Sequence, residues 1–198
     1  MARPSLVTRA QILDAARELA WERGTGAVAV KEVALRLGRP SGSLYHRYPG
    51  RDHLLAELWL EAVEHFQDGY LVALEGDDAV SAARAAARHV LVWSREEVER
   101  AHVLLWFRLT DLLAGELPAD TADRASRTGQ RLQTSLHELA ERLAVSPRRL
   151  RLAVVDVPYA VVRRDLARGG NSLEDEKLVD QVVLALIADL RAGSGGRI

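Results

Sequence analysis

Residues 33–55 read VALRLGRPSGSLYHRYPGRDHLL, and this stretch decides the fold. Two short runs with helical spacing, 30–37 and 41–47, meet at Gly38, and Pro49-Gly50 breaks the second before a longer run starts at Arg51. Gly38 supplies the tight backbone conformation that lets two short helices cross steeply, as a helix-turn-helix requires. Val33, Ala34, Leu37 and Leu44 fall on the inward side. Upstream, Ile12, Ala15, Ala16, Leu19 and Ala20 recur at spacings of three and four, which predicts a helix over 5–23 ended by Gly24 and Gly26.

Working outward, nothing in the chain reads as a strand, and helical periodicity continues almost to the end. Helices are predicted over 51–74, 79–93, 95–113, 119–143, 147–168 and 173–191, with breaks at Gly76-Asp77-Asp78, Trp93-Ser94, 115–118, 145–147 and 169–171. Ser146 caps and Pro147 starts the penultimate helix. Pro158 is expected to kink or break it. The fold class is all-α, with about nine helices: a three-helix helix-turn-helix domain at 1–50 and a helical regulatory domain at 51–198.

The face opposite Leu44 carries Ser41, Ser43, Tyr45 and His46, with Arg39, Arg47 and Arg51 around them. Hydroxyls, a ring nitrogen and guanidinium groups suit phosphates and base edges in a DNA groove. Gly42, without a side chain, lets the third helix start close to a phosphate backbone or to the preceding helix. Arg51, opening the next helix, can hold a phosphate together with that helix's backbone amides. The formal net charge of −1 conceals a supporting asymmetry. Residues 1–55 hold nine Lys/Arg against five acids, and the remainder holds 18 against 23. A basic module on an acidic body fits a nucleic-acid partner.

The segment resembles the DNA-binding domain of the TetR family, whose recognition helix reads Gly-x-Leu-Tyr-x-x-Phe followed by Lys or Arg and paired leucines. Here these are Gly42, Leu44, Tyr45, Tyr48 in the Phe place, Arg51, Leu54 and Leu55. Ile12, Ala15, Ala16, Leu19 and Gly24 match the family's first helix, so the resemblance covers about residues 8–55. Two places depart from the pattern. Val28-Ala29 replaces a Thr pair that caps the second helix, and Arg39-Pro40 replaces Val-Ser, leaving Ser41 to cap the third. The resemblance implies a ligand-responsive transcriptional regulator, a repressor released from a palindromic DNA operator by a small molecule. Its DNA-binding residues are expected to be Arg39, Ser41, Gly42, Ser43, Tyr45, His46, Arg47 and Arg51.

By the same resemblance the helices after Arg51 enclose a small-molecule effector, and the last two pair with their twins in a homodimer. Residues 152–162 and 178–190 are apolar on more than one side, which calls for two partners each. The effector chamber is assigned to Trp93, Trp106, Phe107 and Asp111, a set of large aromatics with one polar group, the usual make-up of a ligand site.

Composition narrows the alternatives. Cysteine is absent, so disulfides and thiolate metal sites are excluded. None of the six histidines forms a His-x-x-x-His pair, no glycine loop matches a phosphate cradle and no nucleophile elbow is present, so no enzyme, cofactor or metal is expected. No apolar run reaches the ~20 residues of a membrane span, and residues 1–6 contain no signal core, so a cytoplasmic protein is expected. Positive charge comes almost wholly from arginine, with Lys31 and Lys177 the only lysines, a bias of GC-rich bacterial genomes. The alternative reading is a helical protein-interaction adaptor without DNA function.

Overall fold

The computed structural model describes residues 7–106, 118–168 and 173–188. Among these residues there is no strand. The helices are α1 (Arg9–Arg23), α2 (Val30–Arg36), α3 (Ser41–Tyr45), α4 (Arg51–Leu74), α5 (Ala79–Glu96), α6 (Val98–Trp106) and α7 (Ala119–Leu143). They are followed by α8, which runs as Pro147–Arg151, a π-helical turn Leu152–Asp156 and Val157–Arg168, and by α9 (Leu173–Ala188). The chain divides into two compact units, Met1–Val63 with Glu99–Ala125 and Glu64–Val98 with Ser126–Ile198. Helices α4 and α7 each contribute to both.

The first unit is built on one apolar cluster. Ile12, Leu13, Ala16 and Leu19 of α1 meet Val30, Val33 and Ala34 of α2, Leu44 of α3, Leu54, Leu55 and Leu58 of α4, and Val103 of α6. Each buried aliphatic side chain contributes roughly 1.5–3 kcal/mol. That matters most for α2 and α3, which at seven and five residues are too short to persist alone.

Helix α1 begins later than its periodicity suggests. Thr8 is the cap: its hydroxyl accepts from the Gln11 backbone, and the Gln11 side chain accepts from the Thr8 N–H at 2.9 Å. This reciprocal Thr-x-x-Gln box sets the start at Arg9. Helix α2 ends as predicted. Gly38 lies at φ +62°, the Gly38 N–H donates to Leu35 O, and the Arg39 N–H reaches back to Ala34 O at 2.9 Å. This left-handed closure is open to glycine without a steric penalty.

Three expectations need correction. Ser41 does not cap α3: Pro40 holds that place with no side-chain hydrogen bond, and Ser41 is already the first helical residue. Proline's fixed backbone angle sets the geometry in place of a hydroxyl. Nor does the helix break at Trp93-Ser94. The Ser94 hydroxyl donates to Val90 O at 2.6 Å, one turn back, so the polar side chain is satisfied without leaving the helix, and α5 runs to Glu96. Finally, Pro158 does not end α8, although the regular α-helix is interrupted just before it. A π-helical turn precedes it, with the Val157 N–H bonding Leu152 O five residues back.

In the second unit α5 packs against α8 and α9. Ion pairs fasten α5 to α9: Arg84 to Asp180 at 2.5 Å, Arg88 to Glu176 at 3.2 Å, and Arg95 to Glu176. Phe66 and Tyr70 of α4 stack at 5.0 Å, and Trp93 of α5 meets Phe66 edge-on at 5.2 Å. Gly69 sits inside α4 because a β-carbon there would lie 2.5 Å from the His89 ring. His89 uses that space to place Nε2 3.0 Å from Phe66 O.

Burial pushes the His89 imidazole below its ordinary pKa, against the opposing pull of the Phe66 carbonyl. The folded chain therefore holds this proton less readily than the unfolded chain. The stability present above about pH 6.5 is lost as pH falls through the lowered value. Thermal melts from about pH 7.5 to about pH 5.5 should show midpoints falling with acid, and a smaller fall in His89→Asn. An identical slope in that variant would assign the effect elsewhere.

Candidate DNA-binding surface

Helix α3 presents two different sides. Leu44 is its buried residue at 2% exposure, and Tyr48, just beyond the helix, is buried at 3%. Burial raises the Tyr48 pKa, so its hydroxyl remains protonated. These two residues seat the helix in the core. On the other side Gly42, Ser43, Tyr45, His46 and Arg47 are exposed, with Tyr45 at 45%, and Arg39 and Ser41 are half-buried. An aromatic ring held this far in solvent contributes little to the fold. A β-carbon built at Gly42 would meet nothing within 4 Å beyond its chain neighbours and the backbone of its own helix. The missing side chain therefore leaves room for a partner, and no neighbouring helix requires it.

The local hydrogen bonds fix the shape of this surface. The Ser43 hydroxyl donates to Pro40 O at 2.7 Å, closing the turn. Arg47 donates to Val7 O at 3.2 Å, ahead of α1. Arg51 donates to Thr25 O at 2.9 Å and lies 3.9 Å from Asp52 Oδ1. One edge of that guanidinium is thus spent on tying α4 to the loop before α2. Arg36, at the end of α2, is engaged by Glu18 at 3.0 Å and by Glu22, so its charge is held within the protein. All eight sequence-assigned residues lie between the end of α2 and the first residue of α4, with Ser41, Gly42, Ser43 and Tyr45 on α3 itself.

Sequence reading missed a buried carboxylate beneath this surface. Glu57 of α4, only 8% exposed, accepts from Thr121 Oγ1 at 2.7 Å and from Arg124 Nη1 at 3.0 Å through one oxygen. The other oxygen accepts from Arg9 Nε at 3.0 Å and Nη2 at 2.8 Å. Burial pushes the Glu57 carboxyl up, but the bonds from Thr121, Arg9 and Arg124 together outweigh it and hold it below the usual carboxylate range. An acid between Leu54-Leu55-Ala56 and Leu58, inside the apolar stripe, was the sequence signal.

The assigned effector residues fare differently. Trp93 is buried, and its indole N–H donates to His65 Nδ1 at 3.0 Å. Trp106 ends α6. Phe107 and Asp111 lie outside the described residues. A cleft of ≈ 340 Å³ does lie in the second unit, lined by Ala85, Ala87 and Val179 with the ion pairs Arg84–Asp180 and Arg88–Glu176 and with Lys177, and Trp93 is not among its lining residues. Among the described residues no group of His, Asp or Glu could hold a metal ion, and no helix is long and apolar enough to cross a membrane.

A short helix seated by two buried residues, exposing hydroxyls, an aromatic ring and arginine, defines a helix-turn-helix DNA-binding protein. Residues 12–58 match the family model of bacterial regulatory proteins, tetR family. No curated protein sequence matches the chain. Among solved structures it is similar to the fatty acid degradation regulator FadR from Bacillus halodurans, at 19% identity and TM-score 0.69, covering 94% of this chain and 96% of that one. A transcriptional regulator from Rhodococcus sp. Rha1 gives 18% identity and TM-score 0.67 over 97% and 100% of the two chains. FadR from Bacillus subtilis in complex with stearoyl-CoA gives 15% and 0.68 over 91% and 98%. At these identities the structures establish the fold, while the sequence match establishes the N-terminal domain. Residues 12–58 therefore carry the DNA-binding domain of the tetR family of bacterial regulatory proteins, and the chain as a whole has the fold of such transcription regulators.

Proposed function

We propose that this regulator is a homodimeric, ligand-responsive repressor, cytoplasmic, with a DNA-reading domain at 1–50 and a regulatory domain at 51–198. In this reading Arg39, Ser41, Gly42, Ser43, Tyr45, His46, Arg47 and Arg51 contact a palindromic operator. The observation that carries it is the two-sided α3: Leu44 and Tyr48 sunk in the core, Tyr45 held out in solvent. Exposed apolar side chains on the last two helices, Leu152 and Tyr159 of α8 and Leu178 and Val182 of α9, support pairing through those helices. A two-fold dimer would set its recognition helices about 34–36 Å apart, one turn of DNA.

Tyr45→Ala tests the DNA contact. The side chain is exposed, so the melting temperature stays close to wild type. Operator affinity falls by about 1–3 kcal/mol, read by fluorescence anisotropy on a labelled operator. Unchanged affinity removes Tyr45 from the contact surface. The effector acts only if it binds the DNA-bound and free conformations unequally. The FadR neighbour solved with stearoyl-CoA makes a long-chain acyl-CoA the first probe. Release of operator by stearoyl-CoA supports that effector class, and saturable binding without release opposes it.

A further inference from the structure

Glu57 joins parts of the chain that are remote in sequence. Arg9, the first residue of α1, is 48 residues from it, and Arg124 on α7 is 67 residues away. The neighbouring Val7 O is held by Arg47, two residues past the end of α3. Residues 7–9 are thus gripped twice, once from the recognition helix and once through Glu57. Beside this grip lies a cleft of ≈ 190 Å³ lined by Arg9, Arg47, Tyr48, Glu57, Thr121 and Arg124 among others.

We propose that Thr121 and Arg124, at the start of α7, are positioning residues for DNA recognition: they fix Glu57, and through it the Arg9 end of α1 and the Arg47 flank of α3. A carboxylate this buried needs its full set of donors. If Thr121 or Arg124 withdraws, Glu57 loses part of its hold on α7 and turns toward Arg9, and Arg9, with a side chain 42% exposed, follows it outward. Val7 O then moves relative to Arg47, and the exposed edge of α3 loses its frame. The same helix continues from Ser126 in the second unit, so a displacement of α7 arrives at the DNA-reading surface through these two side chains.

The test uses the full chain and a labelled operator. Arg124→Gln and Thr121→Val should each raise the operator Kd about five- to twentyfold, in the range of coupling between sites. Arg124→Lys and Thr121→Ser should restore part of it. The dependence of log Kd on log salt should keep its wild-type slope, because neither side chain neutralises a phosphate. A Kd within about twofold of wild type in both variants overturns the proposal. So does a salt slope reduced by about one in Arg124→Gln, which would make Arg124 a phosphate contact. If Arg124→Gln fails to fold, the Thr121→Val and Thr121→Ser pair carries the test alone. The proposal rests on α3 as the reading helix, and Tyr45→Ala separates the two. Loss in Tyr45→Ala without loss at Thr121 or Arg124 defeats only the positioning role. No loss in any of them defeats the reading of α3 itself.

Discussion

Leu44→Ala is expected to destabilise the first unit by about 2–5 kcal/mol and to abolish tight operator binding. Helix α3 has five residues, of which Leu44 is the buried one. Its stability comes from tertiary packing, since a single turn costs more to nucleate than its hydrogen bonds return. Removing the Leu44 side chain opens a cavity between α3 and the cluster of Ile12, Leu19, Val33 and Leu54. Tyr48 alone cannot orient the preceding turn. Urea unfolding followed by circular dichroism reads the stability, and operator anisotropy reads the function. Both should fall in Leu44→Ala, whereas Tyr45→Ala, one residue on, should lower only the second. A Leu44→Ala protein with an unchanged urea midpoint would mean that α3 is held by something other than its core residue.

The second large effect is expected at Tyr70, which is buried at 1% in the second unit. Its hydroxyl donates to Val154 O at 2.8 Å. In an α-helix that carbonyl would accept from the N–H four residues on, but residue 158 is proline and has none. Tyr70 thus supplies a donor to the carbonyl that residue 158 could not serve in an α-helical register. Burial drives its pKa far upward, so the hydroxyl keeps its proton. Tyr70→Ala should cost about 3–5 kcal/mol, as for other large buried rings. Tyr70→Phe keeps the ring on Phe66 and isolates the hydroxyl, at about 1–3 kcal/mol for a buried carbonyl left unpaired. Adding Pro158→Ala supplies a backbone donor, so Tyr70→Phe in that background should cost less than in wild type, a positive coupling in a double-mutant cycle. Equal costs in the two backgrounds would disconnect Tyr70 from the proline.

Much of the architecture was legible in the sequence because the chain punctuates itself. Gly38, Pro49-Gly50 and Gly76 bound α2, α3 and α4, and α4 and α7 begin and end where the periodicity places them. What escaped were choices made by single hydrogen bonds. Thr8 and Gln11 move the start of α1, and Ser94 keeps α5 whole by bonding backward. Tyr70 bonds Val154 O, and a π-helical turn precedes Pro158. Each depends on a partner that only the fold supplies or on a local pair that apolar periodicity overlooks. The surface around α3 was legible for the opposite reason, since its residue types lie within one short stretch of sequence. The Glu57 grip was hidden because Arg9, Thr121 and Arg124 come from distant segments. Gly69, inside α4, carries in the sequence no mark of the His89 ring that lies against it.

Salt-titrated binding of the wild-type chain to DNA from its own upstream region, competed with scrambled DNA of equal length, tests the central claim most directly. A TetR-type reader built on α3 should bind the specific site at least about a thousandfold more tightly than the scrambled one at physiological salt. Its log Kd should also rise steeply with log salt, by several units per decade. Equal affinity for both DNAs, or no binding even at about 50 mM salt, would contradict it.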